Sequence, residues 1–242
     1  MHMQAHMQAF GETEMLELWE RGLARHPIDR ALLLCAWARP DLPPSRFPDL
    51  PLGVLNRALL RLRETCFGPR IIAWVDCEHC GEYMEVALDT GQLLAGANED
   101  DMPAEFEISS FRFRVPCSRD LAAITGQRDI TAATLKLLQQ CCLAHPDKTD
   151  LDFASILPEA EMVMENLDPE ADINLALTCV DCGHSWLAGF DIGAMLWNEI
   201  DVRARTLLSE VHSLARAYCW TEAEILALSP QRRTAYLDMV GE

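Results

Sequence analysis

Two seven-residue segments constrain this chain more than any other feature. Val75-Asp76-Cys77-Glu78-His79-Cys80-Gly81 and Thr178-Cys179-Val180-Asp181-Cys182-Gly183-His184 each place Cys-x-x-Cys-Gly between two strand-like runs. Asp89 lies nine residues past Cys80 and Asp191 nine past Cys182, each behind a hydrophobic residue. The pattern reads as one zinc-knuckle hairpin written twice. In such a turn both thiolates point to one side, and the glycine lets the backbone fold beneath the metal. Two facing knuckles supply four sulfurs, the donor set of a closed tetrahedral zinc site with Zn–S near about 2.3 Å. Cys77, Cys80, Cys179 and Cys182 are therefore expected to hold one structural Zn2+, with their sulfurs mutually within about 4 Å. His79 and His184 are reserve ligands or simply neighbours of the thiolates. Two further readings of the cysteines are a redox-active pair and plain core packing. Neither pair opens a helix that would acidify a thiol, which weakens the redox reading.

The knuckles stand 98 residues apart, so a folded insertion from Asp89 to about Asp172 has to separate them. Cys35, Cys66, Cys117, Cys141, Cys142 and Cys219 are scattered and read as small core hydrophobes. Ten cysteines behind a start with no basic-then-apolar segment point to a reducing compartment. No run approaches the roughly 18 consecutive apolar residues of a membrane span. A closed four-thiolate site has no position open to water or substrate, and no Gly-x-Ser-x-Gly, phosphate loop or His-Glu-x-x-His occurs. No enzymatic activity is expected.

The formal charge of −18 is concentrated in the middle of the chain. Residues 71–202 carry 25 acids and six bases, while residues 1–70 and 203–242 are close to neutral. Such a surface repels phosphate backbones and argues against nucleic acid as a partner. It either keeps the middle soluble or faces a basic protein.

Periodicity organises the rest. Residues 1–11 read as a loose tail, then Thr13 as the cap of a helix to Ala24. Pro27 opens a second helix to Ala38, and five prolines from Pro40 to Pro51 read as a stiff extended connector. Val54 to Thr65 is a third helix, with Leu55, Leu59 and Leu62 on one side and Arg57, Arg61 and Arg63 on the other. Strands are expected at Ile71–Val75, Tyr83–Leu88, Phe106–Ile108, Phe111–Val115, Ile173–Thr178 and Trp186–Phe190. Gly91 to Ala104, with Glu99-Asp100-Asp101, reads as loop, and Asp120–Thr125, Thr131–Leu143 and Pro158–Asn166 as helices. Trp197, Ile200, Leu207, Val211, Leu214 and Tyr218 mark one helix of about six turns, a stripe fit for core or for docking. Thr221-x-x-Glu224 is a capping box, with Trp220 and Ile225 placed for a hydrophobic staple, and Ser229-Pro230 opens a last helix carrying Tyr236.

The fold class is α+β and mostly helical. A helical region at 1–70 and another at 193–242 flank a split zinc-ribbon-like β region at 71–192, which carries a helical, acidic insertion at 89–172. Arg232 and Arg233 are placed to answer either the acidic middle of the chain or acids on a partner.

The tail resembles a phage family. Trp197-Asn198-Glu199-Ile200, Leu207 to Ala215, Tyr218-Cys219-Trp220-Thr221-Glu222, Ile225 to Ser229, Arg232-Arg233 and Tyr236-Leu237 are similar to the baseplate hub assembly chaperones of T-even (T-four-like) phages. Relatives of that family occur in gene clusters for phage tail-like contractile injection systems. Pro51-Leu52-Gly53, Leu60 to Glu64, Phe67-Gly68, the first knuckle, Phe113-Arg114-Val115-Pro116 and Asp120-Leu121 match its zinc-knuckle form in order. Cys219 departs from the glycine of the relatives. The resemblance implies a non-enzymatic structural or assembly protein, acting in the cytoplasm during assembly or residing in the particle. Its partners would be hub, spike or tube proteins, met through Trp197, Ile200, Leu207, Val211, Leu214, Tyr218, Trp220, Arg232, Arg233 and Tyr236. The alternatives from other classes are a zinc-ribbon adaptor for nucleic acid or protein, and a thiol-disulfide oxidoreductase using Cys77 and Cys80.

Overall fold

The structure is a computed structural model, and it describes residues 9–95, 105–109, 111–144 and 152–240. The chain opens with helices α1 (Glu12–Gly22), α2 (Pro27–Ala38) and α3 (Leu52–Phe67). Strands β1 (Arg70–Asp76) and β2 (Tyr83–Asp89) then lead into the short α4 (Thr90–Leu93). The insertion holds β3 (Glu105–Ile108), β4 (Phe111–Arg114), α5 (Ser118–Ile124), α6 (Ile130–Cys141), β5 (Cys142–Ala144) and α7 (Phe153–Leu167). Strands β6 (Asn174–Thr178) and β7 (Ser185–Gly189) precede α8 (Ile192–Tyr218), α9 (Glu222–Leu226) and α10 (Pro230–Val240). The fold is thus mostly helical with three small antiparallel sheets among the described residues, as the sequence implied. No helix among them is long and apolar enough to cross a membrane.

α3 is the axis of the helical core. Leu59, Leu60 and Leu62 are fully buried, against Leu34 and Cys35 of α2, Leu18 and Trp19 of α1, and Leu196, Ile200 and Leu207 of α8. The N- and C-terminal regions therefore share one core. The arginine face expected on α3 is mostly buried: Arg57 pairs with Glu170 at 3.0 Å, and Arg63 grips Glu199 with two bonds of 2.8 and 3.1 Å. A helix covered on every side keeps an arginine only where a carboxylate meets it.

Several local expectations change. Gly11, not Thr13, occupies the N-cap of α1, with Glu12 and Glu14 set against the positive end of the helix. The proline-rich connector coils into a 3-10 turn at Pro44–Asp49, which buries Phe47 instead of holding it in solvent. α6 ends at Cys141, since Cys142–Ala144 pairs with β4 as a third strand. α7 begins at Phe153, five residues before Pro158, under an Asp152 cap. Its side chains close a small core of Ile108, Phe111, Phe113, Leu138, Ile156 and Ala160. The acidic Glu99-Asp100-Asp101 and most of the N-terminal tail lie outside the described residues.

The insertion is pinned to α3 at its return. Asp168 accepts the Gly53 N–H at 3.0 Å, and Asn56 donates to the Glu170 carbonyl at 2.8 Å. A Cβ on Gly53 would sit 1.9 Å from the Asp168 carboxylate, so glycine is what admits the acid to the first turn of α3. Burial pushes the Asp168 carboxyl up despite that hydrogen bond.

α8 runs for 27 residues, longer than expected, and ends at Cys219 in the left-handed region with φ of 56°. Thr221 and Glu224 form the expected capping box of α9. Ile225 is buried with Val211 and Leu214, and Trp220 packs on that cluster as a staple requires.

Candidate metal centre

Both knuckles repeat the same backbone bonds. The Cys77 N–H donates to the Glu82 carbonyl at 2.9 Å, and the Gly81 N–H donates back to Cys77 at 2.9 Å. In the second, Cys179 donates to His184 at 2.8 Å and Gly183 to Cys179 at 3.0 Å. Gly81 and Gly183 have φ of 75° and 72°, a turn that side chains resist. Below them the strands pair in matching register, Asp76 opposite Tyr83 and Thr178 opposite Ser185. The repeated aspartates are helix caps: Asp89 accepts from Gly91 at the start of α4, where loop was expected, and Asp191 accepts from Ala194 at the start of α8. Each hairpin hands the chain to a helix.

The four cysteines expected to converge do so. Cys77 Sγ is 3.7 Å from Cys182 Sγ, Cys80 Sγ is 3.6 Å from Cys179 Sγ, and all four sulfurs lie within 4.8 Å of one another. The edge of a zinc–sulfur tetrahedron is about 3.8 Å, so the two pairs across the knuckles already have ligand spacing. In each knuckle the first cysteine is buried and the second exposed. Four cysteines so arranged can hold a metal ion.

Electrostatics favour a cation. The Cys80 N–H is aimed at the Cys77 sulfur and draws that thiol down to about 7. At Cys80 the Glu82 N–H pulls the same way, but local desolvation of this exposed thiol and the three other sulfurs outweigh it and push it up to about 12. Cys182, also exposed, is held up as well: local desolvation and the Cys179 and Cys77 sulfurs overcome the His184 N–H and the Cys80 sulfur. A divalent cation at their centre would draw all four sulfurs to the thiolate and offset the repulsion among them. His79 and His184 lie with their rings 5.5 Å apart outside the four-sulfur group, and His184 stacks on Trp186 at 5.8 Å.

The residues expected to meet a partner divide into two sets. Trp197, Ile200 and Leu207 belong to the helical core, and Val211 and Leu214 to the cluster under α9; all five are buried within the chain, so the stripe is core. Tyr218, Trp220 and Tyr236 are half-buried and packed on one another, with Tyr218 stacked on Trp220 at 4.7 Å and Tyr236 edge-on to Trp220 at 4.9 Å. Arg232 is exposed beside Trp220, Glu224 and Tyr236 at a small groove. Arg233 is buried and bound to Glu12 and Glu210, so it answers α1 and α8 rather than the acidic middle. Among the scattered cysteines, Cys35, Cys117 and Cys141 are buried as expected, whereas Cys219 is exposed.

One polar cluster was not foreseen. Arg114 holds Asp120 with bonds of 2.5 and 2.8 Å, and Asp120 accepts from the Cys117 N–H at 2.9 Å. The signal was an acid three residues after Cys117, the N-cap of α5. Comparison with protein-family models, with curated proteins and with solved structures gave no match.

Proposed function

We propose that the four sulfurs bind one Zn2+ and that the protein is a non-enzymatic scaffold. In that role it builds or completes the baseplate hub of a contractile phage tail or phage tail-like injection system. The convergence of Cys77, Cys80, Cys179 and Cys182 carries the scaffold reading. Zinc favours four thiolates in a tetrahedron, and such a set leaves no coordination position for catalysis. The ion would clamp two hairpins far apart in sequence, which suits a rigid assembly factor. The baseplate assignment rests on the residue run from Trp197 to Leu237 together with the ordered upstream matches from Pro51 to Leu121, and its partners are the hub, spike or tube proteins. Cytoplasmic action during assembly follows from the same reading.

Elemental analysis of purified protein should give one zinc per chain, and substitution by Co2+ should give the absorption of a tetrahedral thiolate site. A deletion strain should fail to complete baseplates, and restoring the gene should rescue them. Intact baseplates in the deletion strain would end the assembly reading while leaving the metal site untouched.

A further inference from the structure

The two knuckle hairpins share one backbone plan but display different outer faces. On the first, Trp74 pairs with Glu85 and Asp76 with Tyr83, two cross-strand pairs on one face separated by the Val75–Met84 pair on the other. Trp74 and Tyr83 stack across that diagonal at 5.0 Å with 12° between their planes. They remain 53% and 60% exposed, with Ile72 also exposed beside them. Asp76 and Glu85 are exposed on the same face. Among the described residues no ion pair engages either carboxylate and no cation stands over either ring.

The equivalent positions of the second hairpin, counted from its first cysteine, are Ala176, Leu187, Thr178 and Ser185. There the outer face is closed by a hydroxyl pair, Thr178 to Ser185 at 2.9 Å. The same fold thus stands without aromatics or acids at these four places. The Trp74–Tyr83 stack is not required by the knuckle, and hiding two such rings from water is favourable.

We infer that the outer face of the first hairpin, Trp74, Asp76, Tyr83 and Glu85, is a docking surface for a basic, arginine-bearing segment of a protein partner. Charge complementarity selects this occupant. A guanidinium stacks on exposed aromatic faces and takes carboxylates in the same plane. The tile offers two rings and two carboxylates within two cross-strand pairs, in the acidic middle of the sequence. Among the described residues neither strand of the two-stranded sheet has a partner on its outer edge, so an extended segment can add backbone hydrogen bonds beside the tile. Nucleic acid is the wrong occupant, because the same carboxylates repel phosphate. The inference stands apart from the baseplate reading and uses none of the residues proposed to meet the hub.

The test is titration of the full-length, metal-loaded protein by calorimetry with an end-blocked hexapeptide of alternating arginine and threonine. Controls are the lysine and glutamate versions of that peptide and oligo-dT. The arginine peptide should bind saturably, the lysine version more weakly, and the glutamate version and oligo-dT not at all. The double variant Trp74→Ala with Tyr83→Ser gives the first hairpin the residues of the second, so the hairpin is expected to fold. It should weaken binding about tenfold. Asp76→Asn with Glu85→Gln should remove most of the salt dependence and leave residual binding. Absence of arginine-peptide binding, or equal binding by the Trp74→Ala, Tyr83→Ser variant, would overturn the inference and leave only diffuse attraction to an acidic chain. Binding of oligo-dT at the tile would overturn it in favour of nucleic acid.

Discussion

The helical core and the knuckle pair are held by different physics. Around α3 the chain buries a continuous apolar cluster drawn from α1, α2, α3 and α8. Between the hairpins the buried cluster is only Cys77, Met84 and Cys179, with Trp186 packed against it. Two-stranded sheets are marginal by themselves. The core can stand on hydrophobic burial, whereas the hairpins bury little between them and have four sulfurs that could hold a metal ion. On the zinc reading proposed above, the core would stand without the ion and the hairpins would be locked by it.

Metal removal should break the comparison most sharply. A structural zinc site contributes on the order of 10 kcal/mol, so chelation or Cys179→Ser should abolish amide protection at 70–89 and 173–191. Hydrogen exchange should show α3 and the first half of α8 still protected. If the core loses protection together with the hairpins, the two regions are one cooperative unit and the comparison fails.

A core truncation should act in the opposite sense. Leu60 is fully buried on α3, and Leu60→Ala should cost about 3 kcal/mol in urea unfolding. The metal content of the native protein should stay unchanged. Loss of metal at native conditions would show that the site depends on the core.

Arg233→Met probes the attachment of α10. Arg233 joins Glu12 and Glu210, both of which Arg203 also holds, at 2.9 and 3.3 Å. The loss should be about 2 kcal/mol, below that of an isolated buried pair because Arg203 remains. Exchange should rise in α10 with no change at the knuckles.

The smallest effects belong to the turn after α8, and they have opposite signs. Cys219→Gly should stabilise by about 1 kcal/mol, since Cys219 occupies the left-handed region at φ of 56°. Thr221→Ala should cost about 1 kcal/mol by removing the hydroxyl that accepts the Glu224 N–H. Thermal unfolding of the two variants, which should shift in opposite directions, checks both.

Elements with a local code were legible from the sequence. The twin Cys-x-x-Cys-Gly, the Thr221 capping box and the alternation at Phe106 to Phe113 each act through neighbours a few residues away. The repeated Asp89 and Asp191 were visible as a spacing, but their use as helix caps appeared only with the backbone in place. Periodicity marked Ile200, Leu207 and Leu214 as one stripe, yet a stripe has the same spacing whether it packs on its own chain or on another.

The sequence alone determined that this protein is a mostly helical chain with two matched thiolate turns, because turn geometry and apolar period are written in adjacent residues. Tertiary structure decided what long-range contact decides. It brought Cys77 to Cys182 and Cys80 to Cys179, buried Arg57 and Arg63 against distant acids, and sent Arg233 to Glu12. None of these partners lies within reach along the chain, so only the closing of the core and of the two knuckles selects them.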